Sequence, residues 1–206
     1  ETLAATTRRL VSKDIPDAKI EAEVLIRHVI GMDRAQFFAD LQQDLEHRHE
    51  RQLRGLVEHR LGGTPLAYLT GLREFYGLDL VVNHDVLIPR QETELLVDEV
   101  QKFCAAKGPG QSFRIADVGT GSGAIAIAIA RHVSLATVYA TDVRREALVV
   151  ADINRRRLSV SDRVHLAQAD LLDPIRQPVD IIVSNPPYVT TSEIESLPIE
   201  LTHEPI

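Results

Sequence analysis

At 206 residues, 44% of them hydrophobic, the chain is long enough for one medium domain and a small one, each with its own core. Its formal net charge of −7, with the acidic excess after residue 74, argues against a general nucleic-acid binder that tracks phosphates and suits a basic protein partner better. The longest apolar run, Ala124 to Ala130, is far short of the roughly 20 residues of a membrane span, and the single Cys104 excludes an internal disulfide or a cysteine zinc cage. With no signal-like start, a cytoplasmic protein is expected.

From Thr2 to about Leu69 the pattern is helical. Leu3, Leu10 and Val11 recur at helical spacing, as do Ala22, Leu25, Ile26, Val29 and Ile30. Asp33 is placed to cap a short helix through Phe37, Phe38 and Leu41, and Leu53, Leu56, Val57, Arg60 and Leu61 mark another. Residues 1–71 therefore read as an N-terminal helical bundle. His47, His49 and His59 read as solvated helix surface, because an i, i+2 pair shares no helix face and no carboxylate or thiol completes a metal site.

Gly62-Gly63-Thr64-Pro65 breaks the helices, and after Gly71 the period changes to two. Leu78, Leu80 and Val82 alternate, Asn83-His84-Asp85 turns, and Val86-Leu87-Ile88 follows, so residues 72–90 read as a β-hairpin linker. Pro89 ends it. A helix from Thr93 to about Ala106, with Thr93 or Gln91 as its cap, opens a second domain, 91–206, and holds Cys104 as a small packing residue beside Phe103. Strands at Phe113–Val118, Thr137–Thr141, Val164–Ala169 and Val179–Ser184 then alternate with helices at Ala124–His132 and Arg144–Leu158, which is an α/β, doubly wound pattern. Arg155-Arg156-Arg157 falls late in that last helix, where cations complement the macrodipole. Four strands leave such a sheet incomplete with an open edge, and Glu1 stands where a methionine is expected; a longer natural protein, truncated here at the C-terminus, is anticipated.

Two loops carry chemistry. Between a buried strand and an apolar helix, Asp117-Val118-Gly119-Thr120-Gly121-Ser122-Gly123 lets backbone approach a ligand closely, ahead of a helix start that favours a carboxylate or phosphate. Gly119-x-Gly121-x-x-Ala124 also fits a dinucleotide fingerprint with Asp142 about 20 residues on. Asp117 and Gly123 instead resemble the D/E-x-G-x-G-x-G loop of S-adenosylmethionine-dependent methyltransferases. The second loop, Asn185-Pro186-Pro187-Tyr188, follows an apolar strand and presents one amide on a stiff backbone, since each proline fixes φ and restricts the residue before it. The Asn185 side-chain oxygen and a neighbouring carbonyl are two acceptors, matched to the two N–H donors of an amide or exocyclic amine.

With both loops in hand, the chain resembles the S-adenosylmethionine-dependent glutamine methyltransferases of the HemK/PrmC family, which act on peptide chain release factors. Gly62-Gly63-Thr64-Pro65-Leu66-Ala67-Tyr68-Leu69-Thr70-Gly71, Glu74-Phe75-Tyr76-Gly77 and Val86-Leu87-Ile88-Pro89-Arg90-Gln91-Glu92-Thr93-Glu94 carry the match beside the two loops. The family usually has Arg-Pro-x-Thr-Glu where Arg90-Gln91-Glu92-Thr93-Glu94 stands. The resemblance implies a Rossmann-like methyltransferase sheet behind a helical bundle that helps dock the release factor, whose Gly-Gly-Gln loop would enter the cleft. It implies that Asn185 and Pro186 hold the glutamine, with Tyr188 walling the pocket beside Pro187, and that Asn185 also borders the cofactor site. It further implies that Gly119, Thr120, Gly121, Ser122 and Gly123 approach the methionine portion of S-adenosylmethionine. Asp142 would accept from the ribose hydroxyls, Asp170 would reach adenine with Leu171 beside the ring, and Asp117 would fix the loop or meet the cofactor ammonium. S-adenosylhomocysteine would be the product; neither a metal, a membrane nor direct nucleic-acid binding is expected. Methylation of a ribosomal protein glutamine, amino methylation of adenine in DNA or RNA, and a non-catalytic cofactor-binding module are the alternatives.

Overall fold

The computed structural model describes residues 1–40, 44–186 and 199–205. The chain divides into two compact units, one built on Glu1–Thr70 and the other beginning at Gly71.

In the first unit the helical spacing resolves into α1 (Thr2–Val11), α2 (Ala18–Ile30), α3 (Arg34–Ala39), α4 (His47–Leu61) and α5 (Leu66–Thr70). Leu10, Ala22, Leu25, Ile26, Val29, Phe37, Leu53 and Val57 form one core, whereas Val11 faces solvent. Helix α2 ends at Gly31, whose φ of 69° lets its N–H reach the Arg27 carbonyl, a left-handed cap that suits glycine. Asp33 caps α3 as expected, in a capping box with Gln36; Leu41 lies outside the described residues. Arg60, grouped with core leucines by spacing, is indeed buried, but as an ion. Its guanidinium donates to Glu21 at 2.6 and 3.0 Å and to Glu200 at 2.6 Å, which a buried charge requires. His47 is exposed beside Glu50, and no group of three candidate metal ligands occurs among the described residues.

The second unit opens with a hairpin, placed earlier than alternation suggested. Strand β1 (Leu72–Phe75) pairs antiparallel with β2 (Leu78–Val81), in a register running from Leu72↔Val81 to Phe75↔Leu78. Tyr76 and Gly77 connect them with φ of 53° and 74°, the positive pair that a tight two-residue hairpin turn demands. Val86-Leu87-Ile88 is not a strand. Asn83 accepts from the Asp85 N–H at 3.0 Å and closes a local side-chain turn, and the Ile88 N–H goes to the Glu204 carboxylate at 3.2 Å, leaving no ladder to join. Val86 and Ile88 are buried all the same, so the apolar run belongs to the core without belonging to a sheet.

A 3₁₀ turn, Gln91–Thr93, leads into α6 (Glu94–Ala106). Gln91 is an exposed residue of that turn, so the missing family proline leaves the turn formed. Thr93 occupies the cap position, yet its side chain makes no capping hydrogen bond; Gln91 does not cap the helix either. Cys104 is buried on α6, and burial raises its thiol pKa.

Strands β3 (Phe113–Val118), β4 (Ala136–Asp142), β5 (Val164–Gln168) and β6 (Ile181–Ser184) form a parallel sheet in the order β5-β4-β3-β6, with α7 (Ala124–His132) and α8 (Arg145–Arg157) between successive strands. This is the Rossmann-like order, which reverses direction between β3 and β6. Every residue from Ala124 to Ala130 is buried, because α7 packs on the sheet and also against α6 and α8. Arg155 and Arg156 at the end of α8 pair with Asp152 at 2.7 Å. No helix among the described residues is long and apolar enough to cross a membrane.

Candidate functional site

In a sheet of this kind ligands bind outside the carboxyl ends of the strands, where the strand order reverses. That rule selects the ends of β3 and β6, and both chemically loaded loops leave from there. Val118 and Ser184 are paired neighbours, so Gly119 and Asn185 emerge side by side at the roughly 4.8 Å spacing of adjacent strands. The Ser184 hydroxyl donates to the Val118 carbonyl at 2.8 Å and fixes the two exits together. Volume alone does not select this place: a hollow of about 1050 Å³ is lined by residues of the helical unit, among them Thr7, Ile26 and Phe37.

The glycine loop is held from below. Gly119 and Thr120 both donate their N–H groups to the Thr141 carbonyl at 2.9 Å, and Gly121 donates to the Asp142 carboxylate at 2.9 Å. Gly119, Gly121 and Gly123 have φ of 73°, 55° and 83°, a region costly to residues with a Cβ. Their surroundings differ. A Cβ at Gly119 or Gly121 would meet nothing within 4 Å, whereas one at Gly123 would lie 2.9 Å from Ile127 Cδ1 and 3.2 Å from Ala151 Cβ. The first two glycines keep a cradle open above the loop; the third lets α7 and α8 close up.

Asp117 sits beneath the loop, wholly buried. Its Oδ2 accepts from the Thr120 hydroxyl at 2.6 Å and from the Ala126 N–H at 3.2 Å, while Oδ1 has no partner. Burial pushes its pKa up to about 6, against the two hydrogen bonds, with the charge of Asp142 adding to the rise. Asp117 thereby ties Thr120 to the start of α7. Asp142 is likewise engaged, with Oδ2 on Gly121 and Oδ1 accepting from the Arg144 N–H at 2.9 Å. Each carboxylate oxygen has a further lone pair, so Asp142 caps its own loop and keeps acceptor capacity at the strand end.

Asp170 is exposed just beyond β5. Leu171 follows with 65% of its surface in solvent and a φ of 51°, uncommon for a bulky residue. Its carbonyl is fixed by the Thr141 hydroxyl at 2.8 Å. The structure thus gathers Asp117, Gly119 to Gly123, Asp142, Asp170, Leu171, Asn185 and Pro186 at the carboxyl end of one sheet. Pro187 and Tyr188 lie outside the described residues. At Asn185 the Nδ2 donates to the Thr93 hydroxyl at 3.2 Å, and Oδ1 has no partner among the described residues.

Three residues have supporting roles that the sequence does not reveal. Thr141 holds two loops at once, through its carbonyl and its hydroxyl; only its place at a strand end next to Asp142 hinted at that. Asn154, fully buried on α8, accepts from the Val81 N–H at 2.7 Å and donates to the carbonyls of Val81 and Ser122, each at 2.9 Å. A lone Asn amid apolar helix positions was its signal. Thr93, read as a cap, is the third.

The family model described as PrmC N-terminal domain matches residues 1–71, and the one described as Methyltransferase small domain matches residues 91–201. A release factor glutamine methyltransferase of Moorella thermoacetica is 40% identical over 206 residues, covering 100% of this chain and 72% of its own. The chain belongs to this family. The namesake enzyme of Chlorobaculum tepidum is 38% identical over 98% of the chain and 71% of its own length, and that of Bacillus subtilis is 38% identical over 90% and 65%. The family assignment removes the dinucleotide reading of Gly119-x-Gly121-x-x-Ala124: the chain carries a methyltransferase domain, and its cofactor is S-adenosylmethionine.

The donor set fits that cofactor. Open space over Gly119 and Gly121, a helix start beyond them, and an acidic strand end at Asp142 match a molecule with an amino-acid tail and a ribose.

Proposed function

We propose that this chain transfers a methyl group from S-adenosylmethionine to the side-chain amide nitrogen of the glutamine in the Gly-Gly-Gln loop of peptide chain release factors. One observation carries the reading: Asn185 leaves β6 beside the glycine loop of β3 with its Oδ1 uncommitted among the described residues. Gly119, Thr120, Gly121, Ser122 and Gly123 border the methionine portion of the cofactor, Asp142 its ribose, and Asp170 and Leu171 its adenine. The bound cofactor supplies an electrophilic methyl on a sulfonium. Everything else falls to the chain.

An amide nitrogen is a poor nucleophile because its lone pair is shared with the carbonyl. Asn185 Oδ1 and the Pro186 carbonyl accept its two N–H groups, which orients the nitrogen and offsets the positive charge that grows on it. Proline chemistry at positions 186 and 187 restricts the backbone that carries the second acceptor, and Tyr188 is the proposed wall for the planar amide. After transfer the extra proton leaves to water. No covalent enzyme intermediate is involved. The release factor is the partner, docked in part by the helical unit; the reaction is cytoplasmic and needs neither membrane nor direct nucleic-acid contact.

The test offers release factor, ribosomal protein and DNA in parallel with labelled S-adenosylmethionine. Label should enter the release factor and vanish when the loop glutamine becomes alanine. Asn185→Ala should lose transfer while cofactor binding persists. Preferential labelling of DNA or the ribosomal protein, or continued labelling of the alanine-loop factor, would refute the assignment.

A further inference from the structure

We infer that Thr93 is a positioning residue for the Asn185 amide: its hydroxyl accepts from Nδ2 and holds the side chain in place while Oδ1 meets the substrate. This rests on the reading of Asn185 as the amide clamp. The two residues are 92 apart in sequence, yet Asn185 Nδ2 lies 3.2 Å from Thr93 Oγ1.

A carboxamide has chemically opposite ends of nearly equal shape. Rotated by half a turn, Asn185 would present donors to the donors of an incoming NH2 group, and the clamp would fail. A hydroxyl can serve either end of the amide, but only the observed orientation leaves an acceptor for the substrate. Thr93 and the substrate NH2 together therefore admit one of the two orientations, and the anchor also holds the side chain in place before substrate arrives. That is preorganisation of the acceptor.

Thr93 suits the role because its own surroundings are fixed and its hydroxyl is not used locally. It stands at the start of α6 without a side-chain capping bond, although a threonine there ordinarily makes one. The 3₁₀ turn that carries it is pinned on both sides. Arg90 donates to Glu204 at 2.6 Å, the Thr93 N–H bonds the Arg90 carbonyl at 3.1 Å, and the adjacent Glu94 accepts from the Tyr76 N–H at 2.9 Å. The segment Arg90 to Glu94 thus makes a stiff platform whose one outward hydroxyl touches the clamp.

Thr93→Val keeps the shape and removes the acceptor; Thr93→Ser keeps the acceptor. With release factor as substrate, Thr93→Val should lower kcat by roughly 2- to 13-fold, the factor that one hydrogen bond of ordinary net strength corresponds to. Affinity for S-adenosylhomocysteine by calorimetry should stay unchanged, and Thr93→Ser should restore kcat. If the valine variant folds poorly, Thr93→Ala replaces it with the same expectation. Independently of turnover, the Asn185 side-chain NH2 resonances, assigned by their loss in Asn185→Asp, should shift in Thr93→Val and hold in Thr93→Ser. Unshifted resonances together with undiminished kcat would overturn the role of Thr93. Failure of the unmutated protein to methylate release factor would instead overturn the substrate reading, and the resonance comparison would still decide on Thr93.

Discussion

Two substitutions that each add one methyl group, Gly121→Ala and Gly123→Ala, should separate the two duties of the glycine loop. At Gly123 an added methyl meets Ile127 Cδ1 at 2.9 Å, Ala151 Cβ at 3.2 Å and Ala151 Cα at 3.4 Å. The isoleucine end can swing aside, but Ala151 can yield only if α8 moves. Overpacking of this kind costs about 1–3 kcal/mol, and a φ of 83° costs a residue with a Cβ about 1–2 kcal/mol more. Gly123→Ala should therefore lose about 2–5 kcal/mol, a large share of the roughly 5–15 kcal/mol that holds a domain. At Gly121 nothing lies within 4 Å, so only the backbone strain remains, about 1–2 kcal/mol. Its methyl instead projects into the open cradle, where it should weaken S-adenosylhomocysteine binding by at least about tenfold, or about 1.4 kcal/mol. Urea unfolding followed by circular dichroism reads the first effect, and calorimetric titration the second. Equal destabilisation by the two variants, or undiminished cofactor affinity in Gly121→Ala, would refute this division of labour.

Asn154→Leu keeps the approximate volume but strands the Val81 N–H and two carbonyls; about 2–4 kcal/mol should be lost, and a loss under about 0.5 kcal/mol in urea unfolding would contradict the account. Asp117 makes stability depend on pH in an unusual direction. Its folded pKa of about 6 lies above the ordinary value near 4, so the folded state keeps the proton longer. Its contribution should be full below about pH 4, fall as pH rises to about 6, and level off above, a swing of roughly 3 kcal/mol. The stability of the unmutated protein relative to Asp117→Asn, followed from pH 4 to 7, measures it; a flat difference would show that Asp117 is ionised at little cost.

Much of the fold was legible because it is written in local periodicity. Strand β3 and helix α7 begin and end where the apolar run and the glycines place them, and the Asp33 cap follows from one side chain and its neighbours. The hairpin was misplaced because alternation at Leu78, Leu80 and Val82 identifies a strand but not its partner. The partner was settled by Tyr76-Gly77, whose positive φ values close a two-residue turn, and by Glu204, which takes the Ile88 N–H from 116 residues away. Thr93 was read as a cap because its local sequence suits one; what claimed its hydroxyl was Asn185, invisible at that range.

The sequence by itself determined which groups are present for chemistry: a glycine loop that backbone can open, acidic residues at strand ends, and an amide ahead of two prolines. These are properties of short segments, set by sterics and side-chain chemistry within a few residues. Only the tertiary structure decided that β3 and β6 are neighbours, and hence that Gly119 and Asn185 share one crevice. It alone gave Thr141, Asn154 and Thr93 their partners, because a hydrogen bond across dozens of residues depends on where the sheet order and helix packing bring two groups, and no local pattern encodes that distance.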